Sequence, residues 1–146
     1  MESISSEVRV AILIDGSNIY KTALRLGDRV DCSKILERLN GRQIVRAILY
    51  HPDVVSEKQE GFIRKMKSMG LEVRTKEVKV YPDGKRKADM DVDLTIDAVC
   101  LADKVDVICI VSMDGDYVPL VHYLKSRGVK VEAMAFKRCI SGDLTL

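Results

Sequence analysis

VRVAILIDGSN, residues 8–18, is a run of β-branched and aliphatic side chains that stops at Asp15, Gly16, Ser17 and Asn18. The run reads as a buried strand. A strand that delivers a carboxylate into a tight turn is where an open α/β sheet gathers its ligands and its chemistry. Taken alone, Asp15 and Asn18 also fit a plainer role, an Asx turn that caps the following helix. The choice depends on whether other parts of the chain send carboxylates to the same edge.

Working outward, the pattern alternates between short apolar runs and helical stretches. After the strand at 8–14, a helix is expected over 17–26, ended by Gly27. Asp31 or Ser33 can cap a second helix at 34–39, which Gly41 closes. QIVRAILY (43–50) reads as the second strand. It is followed by a helix over 54–69 with Phe62, Met66 and Met69 on one stripe. A third strand begins at 71–73, and Pro82-Asp83-Gly84 marks a turn. Residues 90–103 form the clearest helix, VDVICIV (105–111) the fourth strand, 117–127 a helix capped by Asp116 with Pro119 in its tolerant first turn, and 129–135 the fifth strand. Strands that alternate with helices imply an α/β fold whose mainly parallel sheet is covered on both faces.

The chain has 146 residues, enough for one domain with its own core. The expected organisation is a disordered tail at 1–7, a domain at 8–136 and a C-terminal tail at 137–146. No apolar stretch approaches a membrane span and residues 1–7 lack a signal-peptide core, so a cytoplasmic location with no membrane association is expected. The cysteines Cys32, Cys100, Cys109 and Cys139 show no CxxC pairing, and Cys100 and Cys109 sit in apolar runs, as buried thiols do. Net charge is only +2, but residues 74–87 concentrate Arg74, Lys76, Lys79, Lys85, Arg86 and Lys87 against Glu77 and Asp83. That segment fits either a solvated hairpin or a patch for a polyanion.

In a parallel sheet the loops after the strands share one edge. Asp15 leaves the first strand there, and Asp114 and Asp116 leave the fourth. On the helix at 90–103, Asp91 shares the apolar face with Leu94, Ala98, Leu101 and Ala102, whereas Asp93 and Asp97 point largely away. A carboxylate in the first helical turn is favoured in its ionised form by the helix N-terminus. Each acid alone has an ordinary explanation as a turn or cap residue. Together, Asp15, Asp91, Asp114 and Asp116 come from three segments that the architecture brings to one edge. Clustered carboxylates repel one another unless hard cations such as Mg²⁺ or Mn²⁺ sit between them.

Three ordered blocks, AILIDGSNIY (11–20), KADMDVDLTIDAVCLA (87–102) and VSMDGDYVPLVHYLKSRGVKV (111–131), resemble the NYN domain of the PIN-like nuclease superfamily, of the LabA-like type. Their counterparts in that family are the strand-one block DGxN, the helix block VDVxLxxDA and the strand-four block SGDGDFxPLV…GxxV. The resemblance spans roughly residues 8–136. It implies a three-layer α/β/α fold with strand order 3-2-1-4-5 and cleavage of RNA that depends on Mg²⁺ or Mn²⁺. By position, Asp15, Asp91 and Asp114 would be the metal ligands, Asn18 a neighbour in the pocket, and Asp116 an outer acid. Asp97 also matches the helix block and ranks behind them with Asp93. Two departures stand out. Met113 replaces the family's Gly before the strand-four acid, a poor choice where φ must be positive. The helix that often closes the family's fold has only a start here, at Ser141 and Leu144, and a dimer partner could cover the apolar surface left by its absence.

The expected activity is therefore phosphodiester hydrolysis at Asp15, Asp91 and Asp114. Asn18 and Ser112 would orient water or a phosphate oxygen, and Lys85, Arg86 and Lys87 would hold the backbone of single-stranded RNA. Tyr20 or Tyr117 could stack on a base or pack in the core. A second class, a non-catalytic RNA-binding or regulatory protein on the same fold, keeps binding without turnover. Phosphohydrolase readings fit less well: Ser17 stands where an Asp-x-Asp motif needs its second acid, and there is no P-loop or GxGxxG to cradle a nucleotide.

Overall fold

A computed structural model describes residues 8–27, 29–30, 33–38, 41–52, 57–76, 79–84, 86–87, 90–112, 115–134 and 140–141. Five parallel strands form the central sheet: β1 (Arg9–Asp15), β3 (Gln43–Tyr50), β4 (Glu72–Arg74), β7 (Val107–Val111) and β8 (Lys130–Met134). Their order is β4-β3-β1-β7-β8, which is the expected 3-2-1-4-5 when these five are counted in sequence. β1 lies at the centre, between β3 and β7, and Val10–Ile14 are all essentially inaccessible to solvent.

Because successive strand residues face opposite sides, a continuous apolar run buries both faces at once. Val10, Ile12, Ile14, Val107, Cys109 and Val111 meet Ile19 and Ala23 of α1 (Gly16–Leu26) and Ile63 and Met66 of α3 (Glu57–Ser68). On the other face, Ala11, Leu13, Ile108 and Ile110 meet Leu94, Ala98 and Leu101 of α4 (Asp91–Leu101) and Leu120 and Leu124 of α5 (Val118–Ser126). The result is three layers. Cys109 is wholly buried, and burial, followed by the nearby Glu132, pushes its thiol up to about 12, so it is an inert core residue. Cys100, expected to be buried, is exposed on α4.

Element ends follow local chemistry. α1 stops at Gly27, which adopts a left-handed φ of 74° and donates its N–H back to the Ala23 and Leu24 carbonyls. A short helix, α2 (Ser33–Arg38), begins at Ser33; Asp31, the other candidate cap, lies outside the described residues. α3 is described from Glu57, and residues 53–56 are outside the described set. The turn at Pro82–Gly84 joins two short antiparallel strands, β5 (Lys79–Val80) and β6 (Arg86–Lys87), so the basic segment is a hairpin.

Two further features depart from the sequence expectation. Asp116 does not cap α5. It lies in a 3-10 turn, Gly115–Tyr117, and Tyr117 occupies the position before the helix, with Pro119 in its first turn. At the C-terminal end, Ser141 belongs to β9 (Ile140–Ser141), which pairs antiparallel with β2 (Arg29–Val30). Residues 142–146, including Leu144, lie outside the described residues. Among the described residues, no helix is long and apolar enough to cross a membrane.

The flank of α4 is tied to the sheet by a polar contact. The Tyr50 hydroxyl, at the end of β3, donates to Asp97 Oδ2 at 2.7 Å, and Arg74 Nε lies 3.4 Å from the same oxygen. Burial, followed by the hydrogen bond to Asp97, raises the Tyr50 phenol above its ordinary range, so it remains a donor. Replacing Tyr50 with Phe keeps the buried ring and leaves Arg74 on Asp97. A loss of about 1 kcal/mol is expected, read as a lower urea midpoint at unchanged slope. An unchanged midpoint would mean that Arg74 alone satisfies the carboxylate.

Candidate active site

Asp15 is the last residue of β1, and only 9% of it is exposed. Its two oxygens do different work. Oδ1 accepts the backbone N–H of Asn18 at 3.1 Å and so caps α1. Oδ2 faces β7 and the turn after it, with the Ser112 hydroxyl at 3.5 Å and the Tyr117 hydroxyl at 3.2 Å. The capping role is thus filled by one oxygen, and the other is turned toward Ser112 and Tyr117.

The helix α1 can start this close to the sheet because residue 16 is glycine. A Cβ there would stand 2.8 Å from the carbonyl oxygen of Tyr50 and about as close to the Leu49 side chain. Asn18, half-buried in the first turn of α1, gives its N–H to Asp15, and its carbonyl accepts the Thr22 hydroxyl at 2.8 Å.

Asp91 opens α4, half-buried, where the helix N-terminus favours a carboxylate. Its Oδ1 lies 2.9 Å from the Tyr117 hydroxyl, the same hydroxyl that reaches Asp15. The end of β1 and the start of α4 therefore present two carboxylates to a single phenol. Burial first, then the charge of Asp15 and the hydrogen bond to Asp91, push that phenol above the ordinary tyrosine range, so it stays a protonated hydroxyl.

The remaining candidates lie at varying distances from this point. Ser112, directly after β7, is part of it. Asp116 is exposed on the 3-10 turn. Asp93 pairs with Lys76 at 3.3 Å, and Asp97 is engaged by Tyr50 and Arg74, with only 17% of its side chain exposed. Asp97 is thus more enclosed than the helical wheel indicates, because β3 and β4 cover that flank of α4. Asp114, Met113 and Lys85 lie outside the described residues, and Arg86 and Lys87 form β6. Tyr20 and Tyr117 are 9% and 5% exposed. Neither offers a face on which a base could stack; Tyr20 packs instead against His51 and Phe62. Sequence reasoning missed the part played by the Tyr117 hydroxyl. The available signal was a buried-type aromatic with a polar tip directly after Asp114-Gly115-Asp116.

Among the described residues, no three His, Cys, Asp or Glu side chains gather closely enough to hold a metal ion. Asp15 and Asp91 supply two carboxylates, and the third acid of the expected set, Asp114, is outside those residues. The donors that do converge are hard oxygens: two carboxylates and the hydroxyls of Ser112 and Tyr117. That chemistry suits Mg²⁺ or Mn²⁺ and not a thiophilic metal.

The NYN domain model matches residues 9–145. The Low amplitude and bright protein LabA of Synechococcus elongatus is 28% identical over 145 residues, covering 93% of this chain and 78% of that protein. An uncharacterized protein of Methanocaldococcus jannaschii is 31% identical over 128 residues, covering 86% of this chain and 46% of its own length. The crystal structure of a Vibrio parahaemolyticus protein of unknown function aligns with a TM-score of 0.83 at 30% identity, over 97% of this chain and 88% of that one.

Proposed function

The chain belongs to the NYN domain family, within the PIN-like nuclease superfamily, and from that premise we propose that it is a metal-dependent ribonuclease acting in the cytoplasm. The observation that carries the reading is the meeting of Asp15 Oδ2 and Asp91 Oδ1 on one hydroxyl at the carboxyl edge of the sheet. Two acids from distant segments, one buried and one half-buried, form a strong local demand for positive charge. Asp15 and Asp91, with Asp114, would hold Mg²⁺ or Mn²⁺. When bound, the cation supplies Lewis-acid stabilisation of a phosphodiester and lowers the pKa of an attacking water.

The chain's own residues provide the rest. Ser112 stands beside Asp15 and can donate to a phosphate oxygen or a water. Asn18 is anchored through its backbone to Asp15, and in this reading its amide would orient water or a phosphate oxygen. In the chain the β5–β6 hairpin comes just before α4, the helix that bears Asp91, and in this reading Lys85, Arg86 and Lys87 would serve the RNA backbone. Their charges would hold an RNA backbone without reading its sequence.

The test is cleavage of a labelled single-stranded RNA with Mn²⁺ by wild type, Asp15→Asn and Asp114→Asn. Equal cleavage by all three would point to a contaminant or another site. For the hairpin, the double variant Arg86→Ala/Lys87→Ala should weaken RNA binding to a similar degree across sequences. The slope of log affinity against log salt should become shallower by about 1.4, or about 0.7 for each phosphate of the single strand that the variant no longer neutralises. Fluorescence anisotropy across a salt series measures this, and an unchanged slope would remove the hairpin from the RNA path.

A further inference from the structure

The Tyr117 hydroxyl is where two elements of the site are joined. Its ring is 5% exposed and belongs to the core cluster that includes Leu94, Ile110 and Leu120, so packing fixes its direction. From that fixed ring the oxygen stands 3.2 Å from Asp15 Oδ2 and 2.9 Å from Asp91 Oδ1. A phenol has one proton and donates it to one carboxylate at a time. Around the Tyr117 oxygen, two acidic oxygens are therefore held close by a dipole that serves them alternately, an arrangement suited to receiving a cation.

We infer that Tyr117 is a positioning residue: its hydroxyl holds Asp15 and Asp91 in the arrangement that receives the divalent cation, and so sets how tightly this chain binds it. The inference rests on the ribonuclease reading and adds to it a residue outside the set of acids. Groups that orient metal ligands without touching the metal commonly change affinity by about 10- to 100-fold when removed. The oxygen of Tyr117 does this without contributing charge, and its loss removes the hydroxyl that Asp15 and Asp91 share.

The experiment measures Mn²⁺ binding to the full chain by electron paramagnetic resonance and titration calorimetry, without RNA, for wild type, Tyr117→Phe and Tyr50→Phe. Tyr117→Phe should bind Mn²⁺ about tenfold or more weakly, and its RNA cleavage should return to the wild-type rate when Mn²⁺ is raised to saturation. Tyr50→Phe loses a comparable buried hydroxyl, the one on Asp97, and should bind Mn²⁺ like wild type. Equal Mn²⁺ affinity in wild type and Tyr117→Phe would overturn the inference while leaving the ribonuclease reading intact. So would a matching loss in Tyr50→Phe, which would make the effect a general consequence of loosened packing. A wild type that takes up no Mn²⁺ at millimolar concentration would overturn the ribonuclease reading, and this inference with it.

Discussion

Asp15→Asn should lower Mn²⁺-dependent RNA cleavage by about 100-fold or more and leave stability close to wild type, whereas Asp15→Ala should lose the same activity and about 1 kcal/mol of stability as well. The prediction follows from the division of labour between the two carboxylate oxygens. Oδ1 accepts the Asn18 N–H and caps α1, a task that an amide oxygen performs about as well as a carboxylate. Oδ2 faces Ser112, Tyr117 and, through Tyr117, Asp91. An Asn there presents an NH₂ and no charge, so the demand for a cation drops. Both hydroxyls can turn to other acceptors, and Asp91 remains in reach of Tyr117. Ala removes the cap together with the charge. Cleavage rates and urea unfolding on the same preparations separate the two effects. If Asp15→Asn cleaved RNA as wild type does, the site reading would be lost. If Asp15→Ala were as stable as Asp15→Asn, the cap would contribute nothing.

Much of this arrangement could be read from the residues, and the parts that could not share a physical reason. The strand at 8–14 announces itself because a central parallel strand buries both faces, which leaves a run of apolar side chains followed by an acid. Asp91 could be placed on the inner side of α4 because helical geometry is local, and Leu94, Ala98 and Leu101 are indeed buried beside it in the core. Asp97 shows the limit of that geometry. A wheel gives an angle about the helix axis, but whether that angle meets water or β3 depends on the neighbours, and here Tyr50 and Arg74 cover it. The pairing of β2 with β9 left no trace in the pattern, since two residues have no periodicity and the partner lies at the far end of the chain. Asp116 was misplaced as a cap because the turn after β7 tightens into a 3-10 turn, moving the helix start past it. Tyr117 escaped for the opposite reason: its burial was foreseeable, but the use of its hydroxyl depends on two carboxylates converging in space. Asp114 matched its motif by position alone, and its side chain lies outside the described residues.

Gly16→Ala should destabilise the protein by about 1–3 kcal/mol and reduce cleavage beyond what the lost stability explains. In α3, by contrast, Gly61→Ala should stabilise by about 0.5–1 kcal/mol and leave cleavage unchanged. The substitution is the same and both glycines are helical, so propensity predicts a gain at each. What differs is the space. At Gly61 the added methyl meets only the far end of Arg64, at 3.9 Å. At Gly16 it meets the Tyr50 carbonyl oxygen at 2.8 Å, together with Leu49, and neither is a flexible tip. Tyr50 pairs with Asp15 in the sheet, and its hydroxyl is held by Asp97, so the strand resists and the turn after β1 must move. That turn carries Asp15 and Asn18. A displacement well under an ångström leaves the acids present but no longer aimed at Tyr117 and Asp91, and positioning errors of that size weigh on rate more than on folding. Unfolding midpoints and initial cleavage rates for both variants check the argument. Gly16→Ala with wild-type stability would show that β3 yields to the methyl, and one with wild-type cleavage per folded molecule would show that the site does not depend on how closely α1 approaches the sheet.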